Sequence, residues 1–206
     1  MRERLLQATM DVCGSMGPAE QAVIDDVIRA AGVSRGTFYK YFSSLEEARS
    51  ALGQFLTNDL VEGLGAMFQD VSDPVQRTAS GWILIMARAA IHPAWGAFVM
   101  RTEHFSEDSV FMAAVRRNTV AGMSNGDYSI DSVTAAIDFQ MGVAIQGMRH
   151  LVEAAEPPIP YITAMTSMGL RGLGVAQRRA DSMARLAMRD VTARAPDHLE
   201  WWRALE

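Results

Sequence analysis

The chain has 206 residues, of which 49% are hydrophobic, and it carries a formal net charge of −5 at pH 7. This length and apolar share allow a substantial core in one or two domains. The negative charge argues against nonspecific coating of nucleic acid and against binding to anionic membranes, but it is compatible with sequence reading by one small face.

Cysteine content and the first residues predict where the protein works. Cys13 is the only cysteine, which excludes a disulfide framework and a cluster of metal-binding cysteines. The start Met-Arg-Glu-Arg lacks the apolar core of a signal peptide, and the longest apolar stretch, residues 82–87, is too short to cross a bilayer. We therefore expect a cytoplasmic protein without a membrane partner.

The first predicted element is a helix with one apolar stripe. The residues of this stripe recur at helical spacing and are Leu5, Thr9, Val12, Cys13 and Met16. We expect Cys13 to be a buried thiol, with a redox-sensing role as the alternative.

The next two elements are predicted to be short helices joined by a tight turn. Residues 24–31 carry apolar side chains at helical spacing, and Gly32 supplies the residue that most easily ends a helix in a left-handed turn. Ser34 then stands where its hydroxyl would cap the second helix, which we expect to run to about Phe42.

The two faces of this second helix differ in chemistry. Its inward face is predicted to carry Phe38, Tyr41 and Phe42. Its opposite face presents hydrogen-bonding groups from Arg35, Gly36, Tyr39 and Lys40, with Thr37 at the edge. Such a helix can enter the major groove by its N-terminal end, where arginine pairs with guanine and a threonine methyl contacts thymine.

The run from Ala31 to Phe42, Ala-Gly-Val-Ser-Arg-Gly-Thr-Phe-Tyr-Lys-Tyr-Phe, resembles the N-terminal domain of TetR-family transcriptional regulators. An aromatic stripe of this kind is also compatible with the core of another helical protein, but the preceding helix, the glycine and the serine cap favour the helix-turn-helix. The resemblance extends backward to residues 5–8 and forward to residues 44–47, so it covers about the first 55 residues. Ser44 and Glu47 predict a capping box that starts a fourth helix.

The resemblance implies DNA-binding roles for seven residues. Those that fall at positions touching bases or adjacent phosphates are Arg35, Gly36, Thr37 and Lys40. Those that fall at positions hydrogen-bonding phosphates are Tyr39 and Tyr41, while Ser34 caps the reading helix.

Two departures from the family predict modest affinity for DNA. Relatives often carry threonine at the start of the second helix and lysine after the capping serine of the fourth, where this chain has Ala22, Val23 and Leu45. Residues 1–45 are neutral, because equal numbers of cations and anions occur there: Arg2, Arg4, Arg29, Arg35 and Lys40 against Glu3, Asp11, Glu20, Asp25 and Asp26. We expect binding to depend on dimerisation and on specific base contacts.

The rest of the chain is predicted to be helical, since alanine, methionine and leucine dominate and alternating strand patterns do not occur. The predicted helices lie near 44–70, 74–91, 93–103, 107–124, 131–154, 159–173 and 176–194. The fold is predicted to be all-α, with a three-helix DNA-binding domain at 1–45, a helix linking from 44, and a larger effector-binding and dimerisation domain at 46–206. In the tail after Pro196, Trp201 and Trp202 are expected to dock on the body or on a partner.

The resemblance also implies a pocket for an apolar small-molecule effector in the middle of the chain. Methionine and aromatic side chains suit such a lining, although any one of them is more often a core residue than a ligand contact. The candidate contacts are Trp82, Met86, Trp95, Phe98, Phe111, Met112, Phe139 and Met148. His92, and His104 with Glu103, could orient a polar end of a ligand or bind metal, with satisfied or solvent-facing histidines as the alternative.

The helices near 131–154 and 159–173 are predicted to form an association surface. Their small residues allow close approach, and the corresponding helices of the family pair with their two-fold mates. The small residues are Ala135, Ala136, Gly142, Ala144, Gly147, Ala164, Ser167, Gly169 and Gly172. A two-fold homodimer would present two reading helices to a palindromic double-stranded DNA operator.

We therefore expect a ligand-responsive transcriptional regulator, a repressor that an apolar small molecule releases from its operator. The four histidines show no ligand spacing and no glycine-rich phosphate loop occurs, so we expect no catalytic residues, no cofactor and no metal. The alternative is a TetR-like ligand-binding or protein-interaction module that has lost specific DNA binding.

Overall fold

The computed structural model describes residues 1–15, 22–101, 109–153 and 157–205. Helices, turns and short connections make up these ranges, and no strand occurs within them, which confirms the predicted all-α class. In chain order the helices are α1 (Arg2–Ser15), α2 (Ile24–Ala31), α3 (Arg35–Tyr39), α4 (Leu45–Met67), α5 (Pro74–Ile91), α6 (Pro93–Arg101), α7 (Val110–Ser124), α8 (Val133–Glu153), α9 (Pro158–Gly172) and α10 (Gln177–His198).

Side-chain caps fix several helix starts, although the capping box predicted for α4 forms only in part. Ser44 Oγ accepts from the Glu47 amide at 3.0 Å, as expected. The Glu47 carboxylate accepts instead from Ser43, from both its amide and its hydroxyl at 2.6 Å. These hydrogen bonds from Ser43 lower the pKa of Glu47 and hold the chain that leads from α3 into α4.

Three predicted helix ends are wrong, and the first is that of α4, which ends at Met67 rather than near 70. Helix α3 ends at Tyr39 rather than near Phe42, because the amides of Lys40 and Tyr41 bond to carbonyls only three residues earlier and tighten the chain into a turn. Helix α10 continues through Pro196 to His198 rather than ending near 194. The proline lies in the last turn, where it removes only one intrahelical hydrogen bond.

Helix α5 forms the centre of the body. Most of its side chains are buried, and it packs against α6, α7, α8, α9 and α10. Among the described helices, none alone has the length and apolarity to span a membrane; α5 and residues Pro93–Met100 meet these criteria only as a pair that bends by 118°.

The segment after α10 docks on the body, which answers the open question about the tryptophans of the tail. The Arg88 guanidinium lies between two indole rings, 4.9 Å from the centroid of Trp95 and 4.7 Å from that of Trp201. Its charge is paired with Asp59, and burial lowers the pKa of Arg88. His92 Nε2 lies 2.8 Å from the Trp201 carbonyl oxygen, so His92 is a satisfied histidine, while Glu103 and His104 lie outside the described residues.

Helix α1 connects the first helices to the body. Arg4 donates to the carbonyl oxygens of Ala31 at 2.7 Å and Gly32 at 2.9 Å, which ties α1 to the turn between α2 and α3. At its other end α1 packs against α6 so closely that a Cβ on Gly14 would overlap the backbone of Ala94. Cys13 is buried beside this contact, as predicted.

Replacing Gly14 with alanine is therefore expected to push α1 away from α6. The added methyl meets backbone rather than a mobile side chain, so overpacking outweighs the gain in helix propensity. We expect the free energy of unfolding to fall by about 1–2 kcal/mol. Denaturant titration followed by circular dichroism measures this change.

The matched control is Gly65→Ala, because a Cβ at this helical position has nothing within 4 Å. It is expected to raise the free energy of unfolding by about 0.5–1 kcal/mol through helix propensity alone. Equal stabilisation by both substitutions would show that α1 and α6 are farther apart in solution.

Candidate DNA-reading surface and effector cavity

The turn between α2 and α3 has the geometry that the sequence predicts. Gly32 ends α2 in the left-handed conformation, with φ of 59° and ψ of 41°, and its amide caps the helix. Ser34 Oγ accepts from the Thr37 amide at 3.1 Å and lies 2.9 Å from the Thr37 hydroxyl oxygen. A rigid, capped turn thus sets the direction in which α3 leaves.

The inward face of α3 is anchored by aromatic packing. Phe38 and Phe42 are buried with their ring centroids 5.9 Å apart, and the Arg2 guanidinium lies 5.5 Å from the Phe42 centroid. Tyr41 was predicted to face inward as well, and this is wrong, because it is 41% exposed. The chain has already left the helix at Tyr39, so helical periodicity no longer holds at residue 41.

The outward face presents the candidate DNA-binding residues. The exposed members of this set are Ser34, Arg35, Gly36, Tyr39, Lys40 and Tyr41, with Thr37 half-buried at the edge. A Cβ on Gly36 would meet only Ser34 Oγ at 3.9 Å, so open space surrounds the backbone at the start of the helix. The structure brings these side chains together on one surface that a duplex can approach.

An ion pair on this surface was missed by the sequence analysis. Arg35 Nη2 lies 3.2 Å from Asp25 Oδ1, and both side chains are more than half exposed. Asp25 lies in the first turn of α2, where a carboxylate also interacts favourably with the helix dipole. The guanidinium of Arg35 on the candidate DNA-reading surface is thus paired with a carboxylate from the neighbouring helix.

A cavity of about 220 Å³ lies between α4, α5, α7 and α8. Its apolar lining includes three aromatic rings, from Phe68, Trp82 and Phe111. The full lining consists of Val61, Leu64, Gly65, Phe68, Arg77, Thr78, Gly81, Trp82, Ile85, Phe111, Ala114, Val115, Arg117, Asn118, Gln140 and Met141.

Only some of the candidate effector contacts line this cavity, and the others lie in the core or nearer the surface. Trp82 and Phe111 line it. Four others, Met86, Trp95, Phe98 and Met148, are buried in the core outside the lining. Met112 is half-buried, and Phe139 is 41% exposed.

The lining residues that we missed follow the helical spacing of the two that we named. Around Trp82, the residues at −4, −1 and +3 all line the cavity, and so do the residues at +3, +4 and +7 from Phe111. For α5 and α7 the spacing therefore contained the signal, although two of these six residues, Thr78 and Asn118, are polar and did not fit the expectation of an apolar wall.

A buried hydrogen-bond network fixes the polar part of the lining. Asn118 Nδ2 donates to the Pro74 carbonyl oxygen at 3.0 Å and to Thr78 Oγ1 at 2.6 Å. The Tyr128 hydroxyl lies 3.0 Å from the same carbonyl oxygen and 2.8 Å from Thr78 Oγ1. Burial raises the pKa of Tyr128 to about 12, so it stays a neutral donor. Since both amide hydrogens of Asn118 are used, only its oxygen remains to accept from a ligand.

A second amide is held in the same way. Gln140 Nε2 donates to Thr119 Oγ1 at 2.8 Å, and the Thr119 hydroxyl donates to the Val115 carbonyl oxygen at 2.8 Å. Gln140 is 3% exposed and lines the cavity with one amide hydrogen committed. Its second hydrogen and its carbonyl oxygen can therefore meet a ligand.

Helices α8 and α9 share an outward face with large apolar groups. Phe139 is 41% exposed, Ile159 38% and Met168 63%, and a Cβ on Gly142 would meet nothing within 4 Å. The small residues that face outward with them are Ala135, Gly142, Ala164 and Gly172.

Not all the small residues predicted to serve association face outward. Those buried within the chain are Ala136, Ala144, Gly147, Ser167 and Gly169. A Cβ on Gly169 would lie 2.6 Å from the Trp82 ring, and one on Gly147 would overlap Met86. Gly147 and Gly169 thus make room for large side chains of α5. Since all five of these small residues are buried within the chain, the prediction that they face a partner is wrong.

Residues 5–47 match the family described as bacterial regulatory proteins, tetR family. The chain is also similar to YvdT of Bacillus subtilis strain 168, an uncharacterised helix-turn-helix transcriptional regulator, with 36% identity over 69 residues. That alignment covers 33% of this chain and 35% of YvdT, so it spans about a third of the relative.

Solved structures resemble the fold over most of the chain. RolR in complex with resorcinol has a TM-score of 0.67 at 21% identity, covering 89% of this chain and 92% of RolR. A protein described as a tetR-family transcription regulator, from Shewanella sp. PV-4, has a TM-score of 0.71 at 16% identity, with coverages of 84% and 97%. A gamma-butyrolactone receptor, an ArpA-like protein, has a TM-score of 0.66 at 13% identity, with coverages of 92% and 97%.

Proposed function

We propose that this chain, whose residues 5–47 match the TetR family of bacterial regulatory proteins, is a repressor whose two-fold dimer binds a palindromic operator. The dimer leaves the operator when an apolar small molecule fills the cavity. The observation that carries this proposal is the course of α4. This helix begins at Leu45, three residues after the aromatic anchor Phe42, and its last turns line the cavity from Val61 to Phe68. One continuous helix thus joins the reading surface to the cavity, as expected of a non-enzymatic regulator.

The proposal assigns residues 1–45 to DNA reading and residues 46–206 to effector binding and dimerisation. The exposed outward face of α3 supports DNA contacts by the set Ser34, Arg35, Gly36, Thr37, Tyr39, Lys40 and Tyr41. Arg35 and Thr37 lie at the N-terminal end of the helix, the end that enters the major groove first.

The effector is a small molecule with one ring. A cavity of roughly 150 Å³ lined by apolar side chains holds benzene, so a cavity of about 220 Å³ accommodates a ring with a few additional atoms. The similar protein RolR was solved with resorcinol, which is a molecule of this size. The ligand acts by favouring a spacing of the two reading helices that no longer fits the operator, and its effect is limited by its differential affinity for the two states.

Selection from a random duplex pool, followed by fluorescence anisotropy on the selected duplex across a salt series, tests DNA reading. We expect a palindrome to emerge, with binding that weakens as salt rises. Equal binding to the selected and a scrambled duplex would favour the alternative, a TetR-like ligand-binding or protein-interaction module. Two observations favour that alternative. Residues 1–45 have no net charge, and Ala22 and Leu45 stand where relatives often carry threonine and lysine.

Replacing Asp25 with asparagine is expected to tighten operator binding by about three- to tenfold per dimer. The change releases Arg35 from an exposed ion pair that contributes up to about 1 kcal/mol in each protomer, and it removes a negative charge next to the proposed DNA contacts. Anisotropy on the selected operator measures the change.

The matched control is Asp11→Asn on α1, which removes the same charge from a side chain that is exposed and hydrogen-bonded to Gln7. An equal gain in affinity from both substitutions would mean that overall charge, rather than the release of Arg35, limits binding.

A further inference from the structure

We propose that the effector carries an acid group on its apolar ring and that its carboxylate pairs with Arg117 at the mouth of the cavity, an inference that rests on the proposed effector function and refines its wholly apolar ligand to a single-ring organic acid. The apolar ring lies inside against the aromatic lining, and the acid group points outward. Ligand binding in the cavity is independent of how α3 contacts DNA.

The lining is cationic although the chain as a whole is not. Its ionisable members among the described residues are the arginines Arg77 and Arg117, and no described aspartate or glutamate lines the cavity. The whole chain carries a formal net charge of −5, so this local excess of positive charge runs against the average. A cationic lining favours an anionic ligand and disfavours a cationic one.

The two arginines differ in what their guanidinium groups already bind. Arg77 donates from Nε to the Val71 carbonyl oxygen at 2.6 Å and from Nη2 to the Phe68 carbonyl oxygen at 3.4 Å, so it supports the end of α4. The Arg117 guanidinium has no hydrogen bond or ion pair within the part of the chain that the structure describes. Its full set of donors is therefore open to a ligand.

Chemistry and exposure both favour a carboxylate at this position. A planar guanidinium matches the two oxygens of a carboxylate and binds them side by side. Arg117 is exposed, so the acid group keeps part of its hydration and avoids most of the desolvation penalty of a buried ion pair. The adjacent Asn118 has only its oxygen uncommitted, so it cannot donate a second hydrogen bond to the carboxylate. The acid group is therefore oriented toward Arg117.

The size and lining of the interior set the rest of the ligand. Phe68, Trp82 and Phe111 offer faces and edges against which an aromatic ring packs. The uncommitted amide groups of Gln140 allow one polar substituent at the inner end. The ligand class is thus a substituted benzoate or a comparable cyclic acid.

Three probes of nearly identical shape and different charge test this inference. They are 4-methylbenzoate, the neutral 4-methylbenzamide and the cationic 4-methylbenzamidine, each titrated into the full-length protein by isothermal titration calorimetry without DNA. We expect the benzoate to bind about three- to fivefold more tightly than the benzamide, because the ion pair with Arg117 is exposed, and the benzamidine to bind most weakly.

Arg117→Gln is expected to reduce benzoate affinity to the level of the benzamide and to leave benzamide affinity unchanged. The matched control is Arg116→Gln, which removes the same charge from an exposed neighbour outside the lining and should keep the preference for the benzoate. Since both side chains are exposed, neither substitution should lower the thermal unfolding midpoint.

Equal affinities for the three probes, a preference for the benzamide or benzamidine, no binding at millimolar concentration, or an Arg117→Gln protein that still prefers the benzoate would each overturn the inference. A separate addition of 4-methylbenzoate to the protein–operator complex distinguishes it from the proposed function. Binding in calorimetry without release of DNA would support the ligand class while rejecting effector-driven release.

Discussion

Arg35→Ala is expected to weaken operator binding by the dimer about 30-fold or more. A bidentate contact from arginine to guanine contributes about 1–3 kcal/mol, and a palindrome contains two such contacts. The ion pair with Asp25 has to be given up when DNA binds, but an exposed pair of this kind offsets at most about 1 kcal/mol per protomer. Anisotropy on the selected operator measures the loss, and competition with single-base variants measures the relaxed specificity.

The matched control for this substitution is Arg29→Ala. Arg29 is 79% exposed and paired with Asp26 on α2, so its removal changes the net charge equally without touching the reading face. We expect a small loss that is the same for operator and scrambled duplexes. If Arg35→Ala behaved like Arg29→Ala, the assignment of base contacts to the start of α3 would be wrong.

The turn and the start of α3 could be predicted from the sequence because the interactions that form them are local. The left-handed turn depends on Gly32, and the cap depends on a hydrogen bond between Ser34 and Thr37, three residues apart. Interactions of this kind leave a recognisable pattern in a few consecutive residues. The same locality explains why the N-terminal region carries the match to the family.

The end of α3 and the pairing of Arg35 could not be predicted in this way. A helix of five residues completes little more than one turn, so periodicity does not show where it stops, and Tyr41 was assigned to the wrong face. Asp25 and Arg35 meet only because the turn folds α3 back beside α2. Their approach is a property of the turn geometry rather than of sequence spacing.

The aromatic part of the candidate effector cavity could be predicted from the sequence, but its polar lining and its position could not. Some large apolar residues of α5 point into the core and others line the cavity. The residue that each one meets on the opposing helix determines its position. Trp82 lines the cavity while it also packs against the glycine at 169, whereas Met86, one turn later, fills the space left by Gly147. Only the three-dimensional packing of α8 and α9 against α5 separates the two cases.

Met168→Glu is expected to dissociate the proposed dimer and, as a consequence, to weaken operator binding. Met168 is 63% exposed in the single chain and lies between the outward groups of α8 and α9 that support the dimer interface. A two-fold interface would bury two new carboxylates at once, so we expect the dimer dissociation constant to rise about 100-fold or more. Sedimentation velocity across a concentration series measures this shift.

Val120→Glu is the matched control, because Val120 is an apolar side chain of α7 that is 43% exposed and lies off the face formed by α8 and α9. It should leave both the dimer and operator binding intact. In a dimer, binding of one reading helix holds the second at a high effective concentration near its half-site. A monomeric Met168→Glu protein should therefore lose about 100-fold or more in operator affinity while α3 remains folded. A Met168→Glu protein that stays dimeric and binds the operator normally would place the interface on another face of the body.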